Sequence, residues 1–288
     1  MTKQHGIRKI PRAVWLSAGG LAITLVVAGC GSSSGTSGTT KKTEPTLVVG
    51  TNIGYPPFEQ DNSTGQLVGF DIDIMDAVGA AMHMKVKFVN ASFDSLIPSL
   101  AAGRYNAVIS ALTDDTAREK VVTFVDYFVA GSQAVVPAGN PHHITGLSSL
   151  CGLTVGVGAG SSEYTQAQAY SPTCTASGKP AIQLQTYANG VAAVTALESG
   201  RLDAALLDSG PAAYSVKTAN GKLALGGGPY DESPYGIAVA KSNSALAKKI
   251  LTALRTMMKN GTYHKVLVKW GVTGGGVSAP AINDASMQ

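Results

Sequence analysis

The sequence predicts an α/β protein of two lobes. Strand-like and helix-like segments alternate along the chain, the pattern of mainly parallel sheets. The alternation pauses at an extended segment, 132–137, and then starts again, which argues for a second lobe. Extended segments near 128–134 and 232–238 are placed to be two strands crossing between the lobes.

In order, strands are expected at 46–50 and 67–70. A helix over 71–82 follows because Ile74, Val78 and Met82 fall at i, i+4 and i+8 on one face. Asp71 and Asp73 lie in its first turn, where they complement the helix dipole. Residues 86–89 read as a strand, 93–102 as a helix with Leu96 and Leu100 on one side and Gly103 at its end, and 107–109 and 121–124 as strands. After the restart come a strand at 153–157, a helix at 161–169, a strand at 182–186, a helix at 191–199, a strand at 204–207 and a helix through about residue 217. The extended segment 235–240 leads into a long helix, 245–260, and a short one, 263–269, before Trp270.

Residues 1–29 read as a secretory signal. Lys3, Arg8, Lys9 and Arg12 form a basic start, and 13–27 is an apolar run too short and wrongly flanked for a stable membrane span. It ends in Val27-Ala28-Gly29-Cys30, which resembles the bacterial lipobox, where small residues precede a cysteine that is lipidated and becomes the new N-terminus. The alternative is an ordinary signal with a fortuitous cysteine. A lipid on Cys30 would anchor the chain outside the cell membrane. Residues 30–45, rich in Gly, Ser and Thr, read as a flexible linker, and 273–288 as a disordered tail. Four of the 22 Lys and Arg belong to the leader, which leaves 18 against 18 acidic residues and a net charge of zero. No basic field remains to attract nucleic acid.

Two cysteines remain, Cys151 and Cys174. In an exported chain they suggest one disulfide, worth about 3 kcal/mol for a loop of about 24 residues; two buried free thiols are the alternative. No metal or cofactor is expected. His142 and His143 are adjacent in a Pro-containing loop, a poor geometry for joint ligation. Gly156-Val157-Gly158-Ala159-Gly160-Ser161 follows a strand and precedes a helix, as a dinucleotide fingerprint does. Ser161 stands where the last Gly belongs, and the unit lies in mid-chain, so nucleotide binding is not expected.

Arg118 closes the run Ser110-Ala111-Leu112-Thr113-Asp114-Asp115-Thr116-Ala117-Arg118, which follows the apolar Ala107-Val108-Ile109. A strand that ends in small polar residues and then offers one guanidinium can hold a small carboxylate through two parallel hydrogen bonds. A solvated Arg on a short helix is the plainer alternative.

The chain resembles the bacterial extracellular solute-binding proteins of family 3, the polar amino-acid receptors of ABC importers. The resemblance rests on Gly69-Phe70-Asp71-Ile72-Asp73-Ile74 with Val78, Gly79 and Met82, on Tyr55-Pro56-Pro57-Phe58, on 93–100, and on Gly200-Arg201-Leu202-Asp203-Ala204. Gly261-Thr262-Tyr263 and Lys269-Trp270-Gly271 complete it, over about residues 46–272 in unbroken order. It implies a type II periplasmic-binding-protein clamp with two crossing hinge strands, lobe 1 being 46–131 plus 232–272 and lobe 2 being 132–231. It implies a binding protein, not an enzyme, that is monomeric, captures a free amino acid and delivers it to a membrane permease. Arg118 matches the carboxylate grip, with Ser161, Ser162 and Thr113 beside it at a helix N-terminus, which binds anions. Asp208, Ser110 and Thr113 match the ammonium acceptors. Tyr55 and Phe93 match an aromatic sandwich on the ligand side chain, flanked by Asn52 and Ala111. Where receptors for cationic amino acids carry an acid ahead of the Tyr, this chain has Asn52, so an uncharged, glutamine-like side chain is expected. An exported cyclohexadienyl-type dehydratase and an amino-acid sensor on the same fold are the alternatives. The matched positions offer one carboxylate and no His, which argues against the enzyme.

Overall fold

A computed structural model describes residues 44–285. The leader and Cys30 lie outside these residues. Among the described residues no helix is long and apolar enough to cross a membrane.

The strands are β1 (Thr46–Thr51), β2 (Gln60–Asp61), β3 (Leu67–Val68), β4 (Lys85–Asn90), β5 (Ala107–Val108), β6 (Val122–Pro137), β7 (Thr154–Gly158), β8 (Gln183–Tyr187), β9 (Ala204–Asp208) and β10 (Leu223–Ala240). The helices are α1 (Phe70–Ala81), α2 (Leu96–Ala101), α3 (Thr116–Glu119), α4 (Ser162–Ala176), α5 (Gly190–Glu198), α6 (Ser209–Thr218), α7 (Ser244–Lys259) and α8 (Thr262–Trp270). Eight strands form one sheet in the order β4-β1-β5-β10-β6-β9-β7-β8, and β2 and β3 make a separate small hairpin.

The order shows two lobes. In one, β1 pairs in parallel with β4 and β5; in the other, β7 pairs in parallel with β8 and β9. Between them β6 and β10 run antiparallel along their whole lengths, from Ala240 opposite Val122 to Leu223 opposite Pro137. Their ladder loses register between Gly226 and Tyr230, between Tyr230 and Ser233, and between Tyr235 and Gly236. These breaks fall where the strands pass from one lobe to the other, so the connection is a pair of continuous strands with a softened middle. The extended segments at 128–134 and 232–238 lie within these two strands, which are longer than periodicity alone indicates.

One apolar cluster runs through both lobes, from Leu47, Val49 and Ile74 to Val194, Leu197 and Leu207, and each lobe adds a smaller one. Leu96, Leu100, Val108, Leu112, Val122 and Phe124 pack together on one side. Val136, Ile144, Leu150, Val155, Val157 and Leu206 fill the other, where the Cys151–Cys174 disulfide ties the start of the lobe to α4. At the crossing lies an aromatic knot. The Phe58 ring meets Phe70, Phe128 and Tyr235 edge-on at 5.5–5.7 Å, a favoured geometry for aromatic pairs.

The α1 helix buries Ile74 and Val78, as its periodicity requires. Gly69 precedes it because a side chain there would overlap the Phe58 carbonyl. Asp71 does more than complement a dipole. It is fully buried, its Oδ2 accepts the Ala111 N–H at 2.6 Å, and its Oδ1 accepts the Tyr127 hydroxyl at 2.6 Å.

The expectation of a disordered tail from residue 273 is corrected for 273–285. The Asp126 N–H donates to the Ala281 carbonyl (3.0 Å), the Phe124 N–H to Asn283 Oδ1 (2.8 Å), and the Val277 N–H to the Tyr263 hydroxyl (3.0 Å). The reason lies in the sheet: β9 covers β6 only from Ser132 to Val135, so the earlier edge of β6 needs partners. The tail supplies them. Its Gly-, Ser- and Ala-rich composition hides this, because the pairing is made mainly by backbone.

Candidate functional site

A narrow crevice with about 30 Å³ of free volume lies between the lobes, space on the scale of a water molecule with the walls this close. One wall carries Asn52, Tyr55, Glu59, Phe93, Ala111 and Thr113, from loops after β1, β4 and β5. The other carries Ser161, Ser162, Glu163, Asn189 and Asp208, from the ends of β7, β8 and β9 and the starts of α4 and α5. Carboxyl ends of parallel strands are where open α/β sheets place ligands.

Local structure fixes each group. Ser161 caps α4, its Oγ accepting the Tyr164 N–H at 3.2 Å, and Ser162 and Glu163 open that helix. Asn189 caps α5 through the Ala192 N–H at 2.9 Å. Ala111 has φ of +44°, a left-handed backbone that costs a non-glycine residue energy; the Asp71 carboxylate holds its N–H there. Gly156 lets β7 lie close to α5, since a side chain would run into Leu202 and Ala193. The glycines that resemble a dinucleotide fingerprint thus include a packing device.

Direct hydrogen bonds span the crevice. The Tyr55 hydroxyl donates to Asp208 Oδ2 at 2.6 Å, and Thr113 Oγ1 lies 3.0 Å from Ser162 Oγ. Arg118 Nη2 donates to the Gly160 carbonyl at 3.0 Å, and Asn189 Nδ2 to the Gly54 carbonyl at 3.4 Å. Arg118 stands at the rim, in a recess that shares Thr113 and Ser162 with the crevice. Its Nη1 donates to the Thr113 carbonyl (2.8 Å), its Nε faces Asp115 (3.3 Å), and its guanidinium lies 5.7 Å from the Phe93 ring centre. A guanidinium has five N–H donors, so these contacts leave two for another acceptor.

The structure therefore gathers Arg118, Ser161, Ser162, Thr113, Asp208, Tyr55, Phe93, Asn52 and Ala111 at or beside one crevice. Ser110 sits just behind it: its Oγ accepts the Asn52 N–H (3.0 Å) and donates to Glu59 Oε1 (2.8 Å). Asn52 Nδ2 is committed to the Ala91 carbonyl at 2.8 Å. Among the described residues no cluster of three or more His, Cys, Asp or Glu could hold a metal ion.

Sequence reasoning counted one carboxylate here, and that count is corrected. Glu59 and Glu163 join Asp208, at 0, 2 and 8% exposure. Glu59 follows directly on Tyr55-Pro56-Pro57-Phe58 and Glu163 directly on Ser161-Ser162, so proximity to the recognised motifs was the available signal. Among the described residues no Lys, Arg or His lines the crevice itself. Burial, and then the facing Glu163 carboxylate, hold the Asp208 carboxyl well above the usual range. Burial, and then Asp71, do the same for Glu59. Burial also lifts Asp71 to about 7. With no cation beside them, these carboxyls tend to keep their protons.

The comparisons with known proteins agree with this geometry. The family model for bacterial extracellular solute-binding proteins, family 3, matches residues 47–273. The lysine/arginine/ornithine-binding periplasmic protein of Escherichia coli K12 is 33% identical over 233 residues, covering 78% of this chain and 87% of that protein. Two solved structures of an ancestral arginine-binding protein are similar. The glutamine-bound one is 38% identical, with a TM-score of 0.73 over 79% of this chain and 98% of that one. The arginine-bound one is 39% identical, with a TM-score of 0.72 over 78% and 97%. Sheet order, crossing strands and crevice are those of a two-lobe type II clamp, and the chain belongs to the bacterial extracellular solute-binding proteins of family 3.

Proposed function

We propose that this protein captures a free L-α-amino acid with a cationic side chain outside the cell membrane and hands it to the permease of an ABC importer. The observation that carries the reading is a crevice lined, among the described residues, by three buried carboxylates and no basic side chain. The ligand carboxylate lies at the start of α4, against the backbone N–H groups there, Thr113, Ser162 and the two remaining donors of Arg118. The α-ammonium lies on Asp208, with the Ser110 carbonyl and Thr113 as further acceptors. Tyr55 and Phe93 enclose the methylenes, with Asn52 and Ala111 beside them. The lobes are 46–131 plus 232–272 and 132–231, and a lipid on Cys30 keeps the monomer at the membrane. Only the closed clamp lets both walls touch the ligand, so binding drives closure.

A glutamine-like ligand is the second reading. It is favoured by Asn52, whose carbonyl oxygen is left as an acceptor for an amide, and by the related ancestral protein, solved with glutamine as well as arginine. Calorimetric titration of the lipid-free mature chain with arginine, lysine, glutamine and glutamate tests both. The proposal expects arginine or lysine to bind tighter than glutamine, and glutamate to bind worst. A protein that takes glutamine and refuses arginine refutes the cationic reading. Turnover of prephenate to an aromatic product would establish the enzyme alternative instead.

A further inference from the structure

We propose that Glu163 is the residue that makes the crevice select a cationic side chain. The inference rests on the amino-acid-binding reading above and names the group that sets its substrate class. The three crevice acids are not equivalent. Asp208 accepts the Tyr55 hydroxyl at 2.6 Å and also touches it through its own N–H at 3.1 Å. Glu59 accepts the Ser110 hydroxyl at 2.8 Å. Glu163 makes a side-chain hydrogen bond with the Asp208 carboxyl, another acid, and its other contact is long. Ser132 Oγ lies 3.4 Å from its Oε1, but the same hydroxyl lies 2.7 Å from Gln166 Oε1. A serine has one proton to donate, and the shorter contact takes it. Among the described residues, no Lys, Arg or His forms an ion pair with Glu163.

Glu163 is 2% exposed, so its charge is shielded from bulk water. A buried carboxylate that faces another acid and has no counter-charge is costly. The first turn of α4 offsets part of that cost through its dipole. The groups that face it from the surrounding elements are Asp208, Tyr55, Tyr230 and Tyr235, none of them a cation. A guanidinium or ammonium from the ligand supplies the missing charge and donors at once. An uncharged amide supplies donors only. On the opposite wall the position ahead of Tyr55 is Asn52, which is neutral, and Glu59 is engaged by the Ser110 hydroxyl, so the selecting charge is placed on the second lobe. Closure then brings it to the ligand, and the charge of the side chain is read at the closing step.

The test is the ratio of arginine to glutamine affinity, measured by calorimetry on the mature chain and on Glu163→Gln. The variant keeps the size of the side chain and removes the charge. The ratio is expected to fall by at least about tenfold, in line with loss of one buried charge pair. A ratio within about threefold of wild type, less than the tenfold that 1.4 kcal/mol would give, overturns the assignment. A merely structural role would weaken both ligands together and leave the ratio in place. Glu163→Asp provides a second arm should the first variant misfold: withdrawing the charge by one methylene should weaken arginine more than glutamine, and equal weakening overturns the proposal. A wild-type protein that binds glutamine but not arginine overturns this inference and leaves amino-acid capture intact. A wild-type protein that binds no amino acid overturns both.

Discussion

Asp208→Asn isolates the charge that the account gives to the ligand ammonium. The substitution keeps the shape of the side chain and an oxygen acceptor for the Tyr55 hydroxyl, which now lies 2.6 Å from Oδ2. The lobes should therefore fold and close as before. What is lost is a carboxylate at 8% exposure facing a buried ammonium. Truncating one member of a hydrogen-bonded charge pair costs about 2–5 kcal/mol. The lower end applies here at neutral pH, because Asp208 is held above the usual carboxylate range and part of its affinity for the ligand is spent in expelling a proton. A loss of about 2–3 kcal/mol, on the order of 30- to 150-fold in Kd, is expected. Calorimetry with arginine measures it. The same titration of wild type in two buffers of different ionisation enthalpy should show proton release on binding, and affinity should rise with pH until Asp208 has titrated in the free protein. A Kd changed by less than about threefold, far short of the tenfold per 1.4 kcal/mol expected of a lost charge pair, would refute the ammonium role.

Other predictions follow from the same geometry. Arg118→Ala should weaken arginine and glutamine alike, by about 2–5 kcal/mol, because both present the same carboxylate; calorimetry reads this, and unchanged affinity removes Arg118 from the site. Stability should fall as pH rises. Asp71, Asp114 and Asp126 are lifted mainly by burial to about 7, 8 and 7, so between about pH 4 and 8 the folded chain binds more protons than the unfolded one and unfolding becomes easier with each step upward. Melting temperature measured from pH 5 to 9 should decline, and Asp114→Asn should flatten the decline. Deleting residues from 276 onward should cost about 2–4 kcal/mol through the lost backbone pairs on β6, visible as a lower melting temperature. Reducing the Cys151–Cys174 bridge should cost about 3 kcal/mol, visible in urea unfolding with and without reductant.

The α/β class and the two-lobe plan were legible because alternation of strand and helix patterns survives in a single sequence, as in the α1 face of Ile74 and Val78. The length of β6 was not. Its stretch from Phe124 to Ser132 is buried on both sides, so it carries no period-two pattern to mark a strand. The tail was missed for the opposite reason, because its pairing is made by backbone and not by apolar side chains. In the site, the residues with a recognisable setting lie at or beside one crevice: a guanidinium after a strand end, a serine pair opening a helix, an acid at the end of β9. Glu59 and Glu163 were overlooked because an isolated glutamate in sequence reads as a solvated surface group. Only the packing of two lobes distant in the chain buries both. Their burial also changes the expected ligand, since Asn52 taken alone points to an amide while the assembled wall points to a cation.

The most direct test of the central claim is a crystal structure of the mature chain with L-arginine. The account predicts one ligand in the crevice between the lobes, its carboxylate at the start of α4 near Arg118, its ammonium on Asp208 and its guanidinium within hydrogen-bond reach of Glu163. A ligand bound with its carboxylate away from Arg118 and α4, or outside the crevice altogether, would contradict it.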